Sequence, residues 1–282
     1  MRKFNRFALA TLAGAALWAQ APPRNLEIAG AAVHQFEDGP PLGAGESFLP
    51  GETVFYSFLV HNFGVAPGGR VRFNYRIDVR DAEGVALVEP AKGTVAIELG
   101  PEDKEWVPKV RHEFLIPPHA LAGRYRILAE VNDAVTFQQA RSEVLFSVRG
   151  KELDTSGPLS IKNVAFFRGE EGRNPAVTAT YRAGDTLWVR FDITGFKSAE
   201  NNRMHVVYGL AILNPAGKIL FERPEAASET DAPFYPRRYV SAEISLDIQR
   251  GTPPGEYTLV LAARDEVGAA SCESRHSFRI EP

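Results

Sequence analysis

The sequence predicts an all-β chain of two tandem sandwiches, and three observations carry that reading. Phe48 to Val60 and Tyr181 to Ile193 repeat one pattern 133 positions apart: a turn ending in Gly51-Glu52 or Gly184-Asp185, then an alternating run. In those runs Val54, Tyr56, Phe58 and Val60, or Leu187, Val189, Phe191 and Ile193, take every second place, the period of a half-buried strand. No stretch has convincing helical periodicity, and the pairs Pro117-Pro118 and Pro253-Pro254 oppose helix before two of the later strands.

At the start of the chain, Arg2, Lys3 and Arg6 precede an apolar run from Phe7 to Trp18 and then Ala19-Gln20-Ala21, a small-x-small cleavage site. Residues 1–21 read as a secretory signal peptide, the apolar run being too short for a span of about 20 residues. Its removal takes three of the 32 basic residues and leaves 29 against 35 acidic, a formal charge of −6, which argues against nucleic acid as a partner. No later apolar run is long enough for an integral membrane segment. The mature chain is expected to be exported, periplasmic or extracellular. Its single cysteine, Cys272, excludes an intramolecular disulfide, so each core must hold by packing; strand parity makes Cys272 a small core residue.

The repeat continues along the chain. Tyr75, Val79, Asp81, Gly84 and Leu87 match Tyr208, Ile212, Asn214, Gly217 and Leu220 at the same offset of 133, and Gly123 to Asp133 match Gly255 to Asp265 at 132. A period this long marks a duplicated domain rather than a solenoid unit. In the first copy, Val71, Phe73, Tyr75, Ile77 and Val79 point to a core while Arg72, Asn74, Arg76, Asp78 and Arg80 point to water. Asp81 to Gly84 and Asn214 to Gly217 read as hairpin turns. About seven strands per copy, near 26–36, 52–62, 70–80, 84–98 broken by a turn, 108–116, 123–132 and 141–149 with counterparts from 159 to 281, are the pattern of a β-sandwich. The domains are placed at 22–150 and 159–282, with 151–158 a short polar linker.

Tyr125 and Tyr257, each in a Gly-x-Tyr motif at the start of the sixth strand, sit where immunoglobulin-type sandwiches place the tyrosine corner. Ile127 and Leu259 stand where an antibody domain has cysteine, and Tyr75 and Tyr208 where it has tryptophan. The pattern resembles disulfide-free bacterial immunoglobulin-like and fibronectin-type sandwiches. More weakly, it is similar to the early domains of bacterial macroglobulins and to small secreted proteinase-inhibitor sandwiches. The resemblance implies two immunoglobulin-like β-sandwiches; no thioester-type Gly-Cys-Gly-Glu-Gln accompanies it.

For chemistry the sequence offers little. His34, His61, His112, His119, His205 and His276 lack metal-ligand spacing, and the acidic pairs Glu37-Asp38, Glu102-Asp103 and Glu170-Glu171 form no calcium ladder. There is no Gly-x-Ser-x-Gly elbow and no phosphate-cradling glycine loop. No catalytic, cofactor or metal residues are assigned, and the chain is not expected to be an enzyme. Trp106 and Trp188 are weak binding candidates, since Phe55 holds the place of Trp188 in the first copy. The most distinctive non-repeated stretch is Pro224 to Tyr239, taken as the long connection before the fifth strand of the second copy. Its Phe234, Tyr235, Arg237, Arg238 and Tyr239 are the residue types interfaces use as anchors. Two readings stay open there: these side chains hold a partner, or Phe234 and Tyr235 cover an open sheet edge. The expected function is a non-catalytic interaction or scaffold module for another extracytoplasmic protein. The alternatives are a protease inhibitor with this segment as its bait, and a glycan-binding accessory module.

Overall fold

The computed structural model describes residues 25–43, 45–103 and 105–282; the signal-peptide reading of residues 1–21 lies outside the described residues. The first sandwich is built from β1 (Glu27–His34), β2 (Thr53–His61), β3 (Arg70–Arg80), β4 (Ala91–Glu98), β5 (Lys109–Leu115), β6 (Gly123–Asp133) and β7 (Gln139–Val148). Its sheets have the orders β1-β2-β5 and β4-β3-β6-β7. The fourth strand thus pairs with the third, unlike the constant-type immunoglobulin order, where it joins the first, second and fifth.

The second sandwich holds β8 (Ser160–Phe167), β9 (Thr180–Arg182), β10 (Thr186–Thr194), β11 (Met204–Leu213), β12 (Ile219–Asp231), β13 (Tyr239–Asp247), β14 (Gly255–Asp265) and β15 (Ala270–Glu281). Its sheets run β13-β10-β8 and β12-β11-β14-β15-β9. The eighth strand is β9, which runs parallel to β15 with Tyr181 beside Ile280; in the first sandwich its counterpart shrinks to a single parallel bridge between Phe48 and Val148. Among the described residues the one helical piece is a 3₁₀ turn at Glu200–Asn202, and no helix is long and apolar enough to cross a membrane.

The repeated opening is built the same way twice. Gly51 and Gly184 take φ of 87° and 100°, the left-handed region glycine enters without a Cβ clash. The amide of Gly51 donates to the Ile116 carbonyl, as Gly184 does to Ile248, and the carboxylates of Glu52 and Asp185 accept from the amides of Leu49 and Arg182. Behind each turn the alternating residues go inside: Val54, Tyr56, Phe58 and Val60 in one core, Leu187, Val189, Phe191 and Ile193 in the other. The corner tyrosines match the sequence reading, Tyr125 Oη donating to the Leu121 carbonyl and Tyr257 Oη to that of Pro253, both at 2.8 Å.

Two expectations need correction. Asp78, expected to face water, is buried, because Arg76 and Arg80 on the same face lay their guanidinium groups against its Oδ2. The 84–98 stretch is broken by a turn, as the sequence reading has it: a bridge between Arg80 and Ala86 comes first, and the strand proper forms at Ala91–Glu98. Pro224 to Asp231 is strand rather than connection. Proline is tolerated there because β12 is an edge strand with a register shift opposite Tyr208 to Leu210. The Arg223 and Pro224 carbonyls press so close to Gly209 that a Cβ there would meet them at 2.2 and 2.3 Å. Cys272 is half-buried against the second core, and burial pushes its thiol up, so it is a poor nucleophile.

Candidate functional site

What remains of the distinctive stretch after β12 is the short connection to β13, residues 232–238, and it reaches across to the first sandwich. Asn202, itself at φ 56°, donates its side-chain amide to the carbonyls of Pro233 and Phe234, at 3.1 and 2.6 Å, and fixes the loop from its own side. Tyr235 is 4% exposed and packs as a member of the first sandwich's core, so one side chain from the second half completes the interior of the first.

The acceptor for Tyr235 is Asp81, the first residue of the β3 turn. Asp81 Oδ1 takes the Val85 amide at 2.8 Å, as Asn214 Oδ1 takes the amides of Ala216 and Lys218 in the matching turn of the second copy. The two turns differ at the remaining atom. Asp81 Oδ2 accepts from Tyr235 Oη at 3.0 Å and from Arg238 Nη2 at 2.5 Å, while Arg238 Nη1 reaches Glu83 at 2.5 Å. The Arg238 guanidinium also lies 5.6 Å from the centre of the Tyr235 ring. Burial pushes the Tyr235 phenol well above its ordinary range, with the corner tyrosine Tyr125 adding to the shift and Arg238 opposing it. Tyr235 therefore stays a donor at any physiological pH. A carboxylate 2% exposed is tolerable only because donors surround it, since a buried charge without partners is strongly unfavourable.

The other predicted side chains complete the same joint. Arg237 is nearly buried and lies 3.5 and 3.4 Å from Glu229 and Asp231, back on its own sandwich. Tyr239 is buried, with Lys151 Nζ 5.1 Å from its ring centre and His119 edge-on at 5.8 Å. Phe234 alone of the five stays exposed, at 47%. Tyr235 and Arg237 are packed rather than presented, which is not the exposed, rigid loop that a protease bait needs.

Sequence reasoning missed the partners of this joint. Asp81 is a routine turn residue by its local pattern, and only the carboxylate standing where the second copy has an amide, Asn214, distinguishes it. Lys151 is the first residue of the predicted linker. Its carbonyl accepts from the Ala122 amide of the first sandwich, while its ammonium pairs with Asp192 and Ser241 of the second. The connection is stitched to both halves. Burial lowers the pKa of His119, and neighbouring Arg237 lowers it further.

Another departure from the repeat lies on β12. Leu87 is 2% exposed inside the first core, whereas its counterpart Leu220 is 54% exposed, between Ile219 at 52% and Phe221 at 42%. Among the described residues β12 pairs only with β11, so its outer edge is open and carries three consecutive apolar residues. Among the described residues no group of three or more His, Cys, Asp or Glu side chains could hold a metal ion.

No family model matches the sequence, and no curated protein matches it. Solved structures do align along its length. The C-terminal domain of the Streptococcus agalactiae AgI/II polypeptide BspA is 11% identical at a TM-score of 0.30, covering 91% of this chain and all of that one. The C-terminal domain of the Streptococcus pyogenes antigen I/II-family protein AspA is 10% identical at 0.31, over 92% of this chain and 99% of that one. Native alpha-2-macroglobulin of E. coli is 11% identical at 0.29, over 93% of this chain and 17% of that one. Likenesses at this level bear on no activity or partner; the all-β, two-sandwich fold rests on the strands and sheets described above.

Proposed function

We propose that the chain is an exported, non-catalytic interaction or scaffold module, acting on another extracytoplasmic protein through a rigid pair of sandwiches. Its domains are 22–150 and 159–282, joined by residues 151–158. The observation that carries this reading is the open edge of β12, where Ile219, Leu220 and Phe221 face solvent at the place where the first copy buries Leu87. An exposed apolar edge strand invites a partner strand, which gains backbone hydrogen bonds along the edge and apolar contact from the side chains. The joint at Tyr235 and Arg238 serves this role by holding that edge at a fixed place relative to the first sandwich.

The test is site-specific photo-crosslinking in the cells that make the protein, with a photoreactive residue at Leu220 and a control at Glu256, exposed on β14 of the same sheet. A discrete protein adduct at 220 and none at 256 is expected. No adduct at 220, or equal labelling at both positions, overturns the reading.

A further inference from the structure

The outer face of the sheet β1-β2-β5 carries a cavity of about 240 Å³ lined by residues of all three strands and of the loop that follows β1. Strand pairing sets His34 beside Phe55, Phe55 beside Glu113 and Ser57 beside Arg111, all opposite in parity to the core residues Val54, Tyr56 and Phe58. The loop folds back over this face. Asp38 accepts from Lys109 at 2.5 Å and from Arg111 Nε and Nη2, each at 3.0 Å, and those two cations hold its carboxyl at about 2. Beneath the loop His34 is only 6% exposed. Its Nε2 lies 3.0 Å from Ser57 Oγ and its Nδ1 has no partner. Buried polar atoms are nearly always paired, with protein, ordered water or a ligand, so an unpaired one lining a cavity leaves an acceptor or donor open to a bound group.

The lining also has a sign. Glu37, Asp38 and Glu113 set three negative charges against the two of Lys109 and Arg111, both of which pair with Asp38; the excess is one carboxylate, and Glu37 and Glu113 are in no ion pair among the described residues. Carboxylates at the rim, the His34 imidazole and Ser57 hydroxyl at the base and the Phe55 ring in the wall suit a donor-rich cation, and the volume is smaller than the roughly 300 Å³ at which pockets for drug-sized ligands begin. Resting on the interaction-module reading, we propose that this cavity is a socket for one basic side chain, lysine or arginine, presented by the partner polypeptide.

The test titrates the exported full chain with N-acetyl-arginine methylamide and N-acetyl-lysine methylamide, following the His34 and Ser57 resonances by NMR. N-acetyl-norleucine methylamide, of similar shape without charge, and methyl glucoside serve as controls. We expect saturable shifts with the basic probes only, weakened about tenfold in the double variant Glu37→Gln, Glu113→Gln, whose exposed substitutions leave the circular dichroism unchanged. Saturation by norleucine or the glucoside equal to that of the basic probes, no saturable shift at all, or unchanged affinity in the double variant overturns the socket. Such a failure is separate from the β12 crosslinking result, which does not involve this face.

Discussion

The hydroxyl of Tyr235, in the second sandwich, donates to Oδ2 of Asp81, in the first, at 3.0 Å, and does so from inside the first sandwich's own core. Two halves so related are expected to unfold as one cooperative unit. Replacing Tyr235 by Ala removes a large buried ring and is expected to cost about 3 to 5 kcal/mol. Tyr235→Phe keeps the ring and leaves Asp81 with Arg238, costing about 1 kcal/mol. Calorimetry checks this: one endotherm for the parent and Tyr235→Phe, two separated ones for Tyr235→Ala.

Asp81 is expected to tolerate change less well than its place in a surface turn suggests. Asp81→Ala strands the Arg238 charge and frees the Val85 amide, and breaking a buried pair from one side costs about 3 to 5 kcal/mol. Asn214→Ala, at the matching turn of the second copy, loses only the local bonds to Ala216 and Lys218 and is expected to cost about 1 kcal/mol. Denaturant melts of the two variants rank them, and equal costs would show that Asp81 does no more than shape its turn.

The corner tyrosine of the second sandwich supplies another ranking. Tyr257→Phe leaves the Pro253 carbonyl without its donor and should cost about 1 to 3 kcal/mol. Tyr257→Ala also opens a cavity against Phe278, whose ring stacks at 5.7 Å, for about 3 to 5 kcal/mol. A Tyr257→Ala variant as stable as the parent would place the ring outside the core.

Acid should weaken the fold before carboxylates begin to protonate. Burial lowers His112, His119 and His276 below the ordinary 6.5, so on acidification the unfolded chain takes up protons first. Their neutral burial favours folding above 6.5, and stability falls as pH drops through that value toward their lower folded values. Melting temperatures between pH 8 and 5 are expected to decline, less steeply in His119→Gln. A flat profile contradicts half-buried histidines held neutral.

Much of the fold was legible because its signals are local. The period of two in Val54 to Val60, the positive-φ glycines 51 and 184, and the Gly-x-Tyr corners each reflect a nearest-neighbour constraint, and repetition made each visible twice. The candidate residues were legible as types, since Tyr235 and Arg238 are the side chains that anchor contacts. Their destination was not. A tyrosine whose acceptor lies 154 positions away carries no local trace of it, and Asp81 already had a sufficient reason for its identity in capping its turn. Asp78 misled for a related reason: parity placed it outward, but the arginines on either side of it in the same strand cover it.

The most direct measurement is the distance distribution between spin labels on the two sandwiches, one at Arg141 on β7 and one at Glu256 on β14, both exposed, in a Cys272→Ala background. The Tyr235–Asp81–Arg238 joint predicts a single narrow distribution in the parent that broadens in the double variant Tyr235→Ala, Arg238→Ala. A broad distribution in the parent, or one unchanged in the variant, would contradict the claim that this joint locks the sandwiches together.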